Sequence, residues 1–315
     1  MGQTEGQVGG FDISTDEVRS IVTLSGLADL VDFVPLEGGW DNTSVLLTLE
    51  DRSRVVLKAW HANTVEEVKR VIARHCHLDS FGIPTPVPIK LHDGSLLVER
   101  GGVAWTLLPY FDGGLLGFDE ASLRSLGEVQ ARMHEVPTAE FFPNTFTMGF
   151  EFFEEVFGMF EGELPPFLSM LRSEASNLRS QISTDLPTGV LHRDLFPDNV
   201  IGSNGSVTAI LDLEEGWIGP KAFDLVMSFV GFGWDEGRPV QGRWSALVEG
   251  YQSVRELSQD EVTALPHLYR YATLSIACWR YWKHNISIPD ETLCDRYLEM
   301  VDRLGVELDL GEAFG

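Results

Sequence analysis

Apolar residues change their period about a third of the way along the chain. In the first stretch they alternate in short runs. Beyond it they recur every three or four positions. Ser14 to Glu17 fits a capping box, and Val18, Ile21, Leu24 and Leu27 follow at helical spacing. Two strand-like runs, Val31–Leu36 and Val45–Leu49, then flank Glu37-Gly38-Gly39-Trp40-Asp41-Asn42-Thr43-Ser44, which reads as a hairpin with a glycine-rich tip. Arg54–Trp60 is a third strand. Thr64 to Glu67 is a second capping box opening a helix through about Leu78. Pro84, Pro86 and Pro88 stop any helix there, and Leu96–Glu99 and Trp105–Leu108 are two more strand candidates.

After Pro109-Tyr110-Phe111-Asp112-Gly113-Gly114 helical periodicity takes over. Leu123, Leu126, Val129 and Met133 mark one helix, and others are expected at roughly 150–162, 167–182, 222–232, 259–283 and 290–304. A short β-like stretch interrupts them, from Gly189-Val190-Leu191 through Val200-Ile201 and Val207–Leu211. The expected organisation is a flexible terminus over 1–12, an N-terminal lobe over 13–108, a hinge over 109–114 and a helical lobe over 115–315. The fold class is α+β: a small antiparallel β-rich lobe carrying one helix, then a larger, mainly helical lobe.

Composition narrows the partners. Of 315 residues, 23 are Lys or Arg and 48 are Asp or Glu, so the formal charge is 23 − 48 = −25. Such a surface repels phosphate backbones and anionic lipid, which argues against nucleic-acid and membrane partners. The hydrophobic fraction of 43% is ample for a core. No apolar run approaches the ~18 residues of a membrane span, and MGQTEGQVGG lacks the features of a signal peptide. A soluble, cytoplasmic protein is expected. Cys76, Cys278 and Cys294 have no C-x-x-C spacing, so neither a disulfide framework nor a zinc knuckle is indicated. Cys76 between His75 and His77 looks metal-like, but neighbouring helix positions point apart, so this cluster is expected on the surface.

The strongest chemical signal is Leu191-His192-Arg193-Asp194-Leu195-Phe196-Pro197-Asp198-Asn199, an H-x-D-x-x-x-x-N pattern between apolar residues. It matches the catalytic loop of kinases. Thirteen residues beyond Asn199, Asp212 ends the run Val207–Leu211, where a kinase needs a metal-holding carboxylate. Phosphoryl transfer calls for these residue types. A carboxylate must orient the attacking hydroxyl and take its proton, the role of Asp194. Mg²⁺ is a hard ion that wants oxygen ligands, which Asn199 and Asp212 supply. A cation must meet the ATP phosphates, and Lys58 on the third strand is placed for it. Backbone amides near Gly38 and Gly39 can cover the phosphates. His192 is expected to hold the loop by hydrogen bonds. The ordinary alternatives are an Asx turn for the loop, a solvated strand-end Lys58 and a hairpin tip that wants glycine anyway.

These residues resemble the aminoglycoside phosphotransferase-like kinases, and within them the type II homoserine kinases. Leu36–Ser44 looks like that family's phosphate loop, HRDLFPDN over His192–Asn199 is similar to its catalytic loop, and Ile210-Leu211-Asp212-Leu213-Glu214 resembles its metal-binding strand end. Gly219-Pro220-Lys221-Ala222-Phe223-Asp224-Leu225 resembles the segment that opens the next helix, and Gly250–Ser258 favours the homoserine kinase subgroup. The chain departs from the pattern at Arg193, where small-molecule members usually carry Gly or Ala; Arg193 gives the HRD of protein kinases. It also has Asp212-Leu213-Glu214 in place of Asp-Phe-Gly, no Ala-Pro-Glu, and no G-x-G-x-x-G.

The resemblance implies a two-lobe, protein-kinase-like fold hinged near Leu108–Gly114, with ATP in the cleft and Mg²⁺ as cofactor. Main-chain groups near Pro109, Tyr110 and Phe111 would meet adenine. Glu67, which flanks the apolar face of its helix at about 110°, is the expected partner of Lys58, although capping competes for it. The implied acceptor is a small molecule bearing a hydroxyl, homoserine first; Glu214, Glu215 and Trp217 could face it and meet its ammonium, and Arg280 could clamp its carboxylate. Packing of Trp279 and Trp282, with Arg280 solvated, is the competing reading of that segment. Choline, ethanolamine, an aminoglycoside, a sugar or a protein Ser/Thr are the alternative acceptors. A nucleotide-binding scaffold without turnover is the alternative of another class.

Overall fold

The computed structural model describes residues 13–36 and 42–314. They fall into two compact units. The first holds the described residues up to Gly114 together with Thr208–Leu213; the second holds Leu115–Val207 and the residues from Glu214 onward. Adding Thr208–Leu213 to the first unit is a feature that the contiguous sequence division does not contain. The glycine-rich tip, with Gly38 and Gly39, lies outside the described residues.

In chain order the first unit runs α1 (Thr15–Thr23), β1 (Leu30–Pro35), β2 (Thr43–Leu49), β3 (Arg54–Trp60), α2 (Val65–Ser80), β4 (Val98–Arg100) and β5 (Val103–Pro109). The strands form one antiparallel sheet in the order β1-β2-β3-β5-β4. Strand alternation builds its core. Val45, Leu47 and Leu49 of β2 and Val55, Leu57 and Ala59 of β3 share one face, and Val18, Ile21 and Val22 of α1 cover it. On the opposite face Trp60 and Ala104 pack against Val68, Val71 and Ile72 of α2. Of the two expected capping boxes, Thr64 and Glu67 cap reciprocally, whereas at α1 Ser14 Oγ accepts the Glu17 N–H at 3.3 Å, the N-cap bond alone.

The chain continues through β6 (Gly114–Leu115), α3 (Glu120–His134), α4 (Phe150–Gly158), α5 (Pro166–Gln181), β7 (Thr188–Leu191), β8 (Val200–Ser203) and β9 (Ser206–Ile210). It then forms β10 (Trp217–Pro220), α6 (Lys221–Phe232), β11 (Trp234–Asp235), β12 (Arg238–Pro239), α7 (Gln241–Gln252), α8 (Gln259–Trp282) and α9 (Leu298–Arg303). Helix α6 is apolar on nearly every side and lies in the middle of the second unit's core, with Phe223, Leu225, Val226, Phe229 and Val230 all buried. β7 pairs antiparallel with β10 in the register Gly189↔Gly219.

Three features differ from the sequence reading. Helix α7 was not expected; it buries Trp244, Leu247, Val248, Gly250 and Tyr251, too many sides for a clean amphipathic stripe. The helix expected from 290 is regular only over α9, because Asp290 Oδ1 accepts the Thr292 N–H at 2.8 Å and turns the chain first. His75 is buried rather than on the surface, with Nδ1 2.5 Å from Thr85 Oγ1. Among the described residues no helix is long and apolar enough to cross a membrane.

Candidate active site

Period-2 alternation puts Lys58 on the same face of β3 as Trp60. Lys58 Nζ sits 3.9 Å from the Trp60 ring centroid and 2.7 Å from Asp212 Oδ1. Trp60 is itself fixed by its indole N–H, which donates to Thr106 Oγ1 at 3.0 Å. Asp212 adopts φ +57°, a left-handed backbone that a residue with a Cβ holds only at a cost of about 1–3 kcal/mol. Neighbouring segments of the same unit hold it there. Arg74 of α2 donates to Leu213 O at 2.9 Å, Thr85 Oγ1 to Ile210 O at 2.9 Å, and Ile210 N–H to Pro84 O at 2.8 Å. The Thr85 hydroxyl spends its one proton on Ile210, so His75 Nδ1–H is the donor to Thr85.

In the second unit β7 delivers the loop His192-Arg193-Asp194, which is anchored from α6. Asp224, fully buried, accepts the His192 N–H on Oδ2 at 2.9 Å and the Arg193 N–H on Oδ1 at 2.6 Å. Burial pushes its carboxyl up, but the hydrogen bond from His134 and then the His192 amide keep it below the usual range. His192 Nδ1 accepts the Asp194 N–H at 3.2 Å, the loop-holding role expected of it. Arg193 is the second residue with a left-handed backbone here, at φ +77°. Asn199, in a single 3₁₀ turn over Pro197–Asn199, donates its amide to Asp194 O at 2.7 Å and to Asp194 Oδ2 at 3.0 Å. The Asn199 Oδ1 oxygen therefore points away from the carboxylate. Burial pushes the Asp194 carboxyl above its ordinary value; the nearby Arg193 and His192 charges oppose the shift and Glu215 adds to it.

The Arg193 side chain makes a separate cluster. Its Nη1 lies 2.7 Å from Glu215 Oε2 and donates to Thr147 Oγ1 at 2.6 Å, while Thr147 Oγ1 donates to the same Glu215 oxygen at 2.9 Å. The guanidinium lies over Phe146, which stacks on Trp217 at 5.1 Å. Arg193 is buried, whereas Glu215 keeps 41% of its side chain exposed.

Several expected site residues have other engagements. Glu67 Oε2 accepts from Thr64 N–H and Thr64 Oγ1, both at 2.8 Å, so its carboxylate completes the helix cap. Pro109 ends β5 opposite Val55, and the Tyr110 ring lies under the Arg54 guanidinium at 4.1 Å; Phe111 follows in an irregular segment. Glu214 stands half-buried in the 3₁₀ turn Leu213–Glu215. Arg280 is bound across α8 and α9: Nη1 donates to Glu299 Oε2 at 2.7 Å and to Arg296 O at 3.3 Å. Among the described residues no group of three or more His, Cys, Asp or Glu is gathered as a metal cage.

Residues 32–257 match the Phosphotransferase enzyme family. The chain belongs to this family. As a phosphotransferase it is 29% identical over 272 residues to a homoserine kinase of Rhizobium rhizogenes, covering 84% of each chain. It is 30% identical over 274 residues to a homoserine kinase of Agrobacterium fabrum, again covering 84% of each. Its fold is similar to that of amicoumacin kinase solved with AMP-PNP, Ca²⁺ and Ami, with a TM-score of 0.71 at 14% identity over 92% of this chain and 93% of that one. Sequence spacing assigned no role to Asp224, His134 or Tyr251, all three buried; Asp224 lies in the Gly219–Leu225 segment and Tyr251 in the Gly250–Ser258 segment, whereas His134 carried no signal.

Proposed function

We propose that this phosphotransferase uses ATP and Mg²⁺ to phosphorylate the hydroxyl of an amino-acid-like or amine metabolite, L-homoserine first. The observation that carries the reading is Asp194, a half-buried carboxylate pinned by Asn199 and raised in basicity by its burial, set in an HRDLFPDN loop. A general base needs a fixed direction, and a pKa raised above the ordinary carboxylate value makes it a better proton acceptor. The acceptor oxygen attacks the γ-phosphorus, the bond to the β–γ bridging oxygen breaks, ADP departs, and the hydroxyl proton passes to Asp194. Lys58 meets the phosphates. Asn199 Oδ1 and the Asp212 carboxylate would hold Mg²⁺, which when bound neutralises charge on the phosphoryl oxygens. Main-chain groups of Pro109–Phe111 serve adenine; the Gly38 and Gly39 phosphate loop lies outside the described residues. The division into an N-terminal lobe, a 109–114 hinge and a helical lobe belongs to the same reading.

For the acceptor, the homology to homoserine kinases supports an amino acid. The carboxylate best suited to its ammonium is Glu215, more than Glu214. Glu215 is steadied by Arg193 and Thr147, partly exposed, and close enough to Asp194 to raise its pKa. Arg280, already satisfied by Glu299, would need to change partners to clamp a carboxylate. The Arg193 that gives HRD is the one feature favouring a protein acceptor. The test is ADP release with Mg²⁺ over a panel of L-homoserine, L-serine, choline, ethanolamine, aminoglycosides and a protein substrate. Homoserine should give the highest kcat/KM. Preferred turnover of another acceptor would discard the homoserine assignment and keep the chemistry.

A further inference from the structure

Asp224, which anchors the catalytic loop, is itself held from behind by a chain of buried side chains. Its Oδ2 lies 3.2 Å from His134 Nε2 on α3. His134 Nδ1 lies 2.8 Å from the Tyr251 hydroxyl on α7. Arg255 Nη1 donates to the Tyr251 oxygen at 3.4 Å, and Arg255 Nη2 to Glu261 Oε2 at 2.8 Å. His134, Asp224, Tyr251 and Glu261 are all essentially inaccessible to solvent.

Donor and acceptor chemistry gives each link one direction. An ionised carboxylate only accepts, so the proton in the His134–Asp224 bond belongs to Nε2. Burial holds the His134 imidazole neutral. A neutral imidazole with Nε2–H has Nδ1 as an acceptor, so the Tyr251 O–H must donate to it. The phenol oxygen is then free to accept from Arg255, which only donates.

Backbone packing explains why the pieces meet. α3 and α7 touch through two glycines. A Cβ on Gly127 would fall 2.1 Å from Leu247 O, and one on Gly250 would fall 1.9 Å from Arg124 O. This close crossing brings the end of α3, with His134, against Tyr251 one residue past Gly250.

We propose that His134 and Tyr251 are positioning residues for phosphoryl transfer: the Tyr251 hydroxyl locks His134 as the Nε2–H tautomer, and His134 in turn orients the Asp224 carboxylate that holds the His192 and Arg193 amides and so aims Asp194. The proposal rests on Asp194 being the base. Its reason is strain. Arg193 holds a left-handed backbone at φ +77° with its N–H bonded to Asp224 Oδ1 at 2.6 Å, and a carboxylate that loses one of three donors is free to turn.

Two measurements test it. The ¹⁵N–¹H NMR spectrum of the wild-type protein should show His134 protonated at Nε2 with an accepting Nδ1, and Tyr251→Phe should change that signature. In steady-state kinetics Tyr251→Phe should lower kcat by about 10- to 100-fold, the scale of a sub-ångström misplacement, with KM for ATP unchanged. His134→Gln, whose amide can still donate toward Asp224, should retain more kcat than His134→Ala. An Nδ1–H tautomer in the wild type, full kcat in Tyr251→Phe, or a loss of nucleotide affinity in parallel with kcat would each overturn the proposal. Absence of turnover by the wild type on every acceptor would overturn the base reading instead, and the NMR signature decides the hydrogen-bond chain without it.

Discussion

Lys58 Nζ and Asp212 Oδ1 lie 2.7 Å apart, although 154 residues separate them in the chain. The ammonium is mostly buried over Trp60 while the carboxylate is 41% exposed, so the pair presents its acidic member outward. If Asp212 holds the metal, Asp212→Ala removes the ligand together with the Lys58–Asp212 ion pair. ATP binding measured calorimetrically with and without Mg²⁺ should then lose its metal dependence, with affinity in Mg²⁺ falling about ten-fold or more. Unaltered Mg²⁺ dependence would remove Asp212 from the metal site.

Asp194 is a stability cost that the fold accepts. Its folded pKa lies above the ordinary value of about 3.9. Between those two values the folded protein holds a proton that the unfolded chain has released, so its contribution falls as pH rises through that window and stays unfavourable above it. Asp194→Asn keeps an acceptor for Asn199 and removes the charge. The variant should melt higher than wild type at pH 7, and the gap should shrink as pH falls toward 4. A lower melting temperature at pH 7 would contradict this.

The sheet of the first unit was legible because alternation, two capping boxes and proline punctuation all agree locally. Strands β1, β2, β3 and β5 and helix α2 lie within a few residues of their expected places. The spacing from His192 to Asn199 and on to Asp212 supplied the candidate site residues, whose roles belong to the proposal. Helix α7 was not, because it is buried on several sides and carries Gly242 and Gly250, which weaken a helical signal whose tertiary purpose is close approach. Glu67 shows a different limit. Its capping geometry is fixed within four residues, whereas Asp212, which Lys58 meets at 2.7 Å, comes from far along the chain. The buried chain from Tyr251 to Asp224 has no period to read at all.

The α3–α7 crossing makes Gly250 intolerant of even one methyl group. A Cβ there would overlap the Arg124 carbonyl, which is backbone and cannot rotate away. Gly250→Ala should destabilise by about 1–3 kcal/mol or more through forced separation of the helices. Gly242→Ala on the same helix meets open space and should be neutral or stabilising. Equal denaturation midpoints for the two variants would contradict the packing account.

If Glu215 meets the acceptor's ammonium, its substitution should separate acceptor recognition from nucleotide binding. Glu215→Gln keeps an oxygen for Arg193 and Thr147 and removes the charge offered to a cationic acceptor. KM for an ammonium-bearing acceptor should rise about ten-fold, with KM for ATP unchanged. An unchanged acceptor KM would take Glu215 out of the acceptor site.

The most direct test of the account compares wild type and Asp194→Ala for Mg²⁺-dependent ADP formation with L-homoserine, while nucleotide affinity is measured on the same preparations. The account predicts a loss in kcat of about 10²- to 10⁴-fold, the usual worth of a positioned base, with ATP affinity nearly intact. Turnover retained by Asp194→Ala, or nucleotide binding lost together with it, would contradict the assignment of Asp194 as the base.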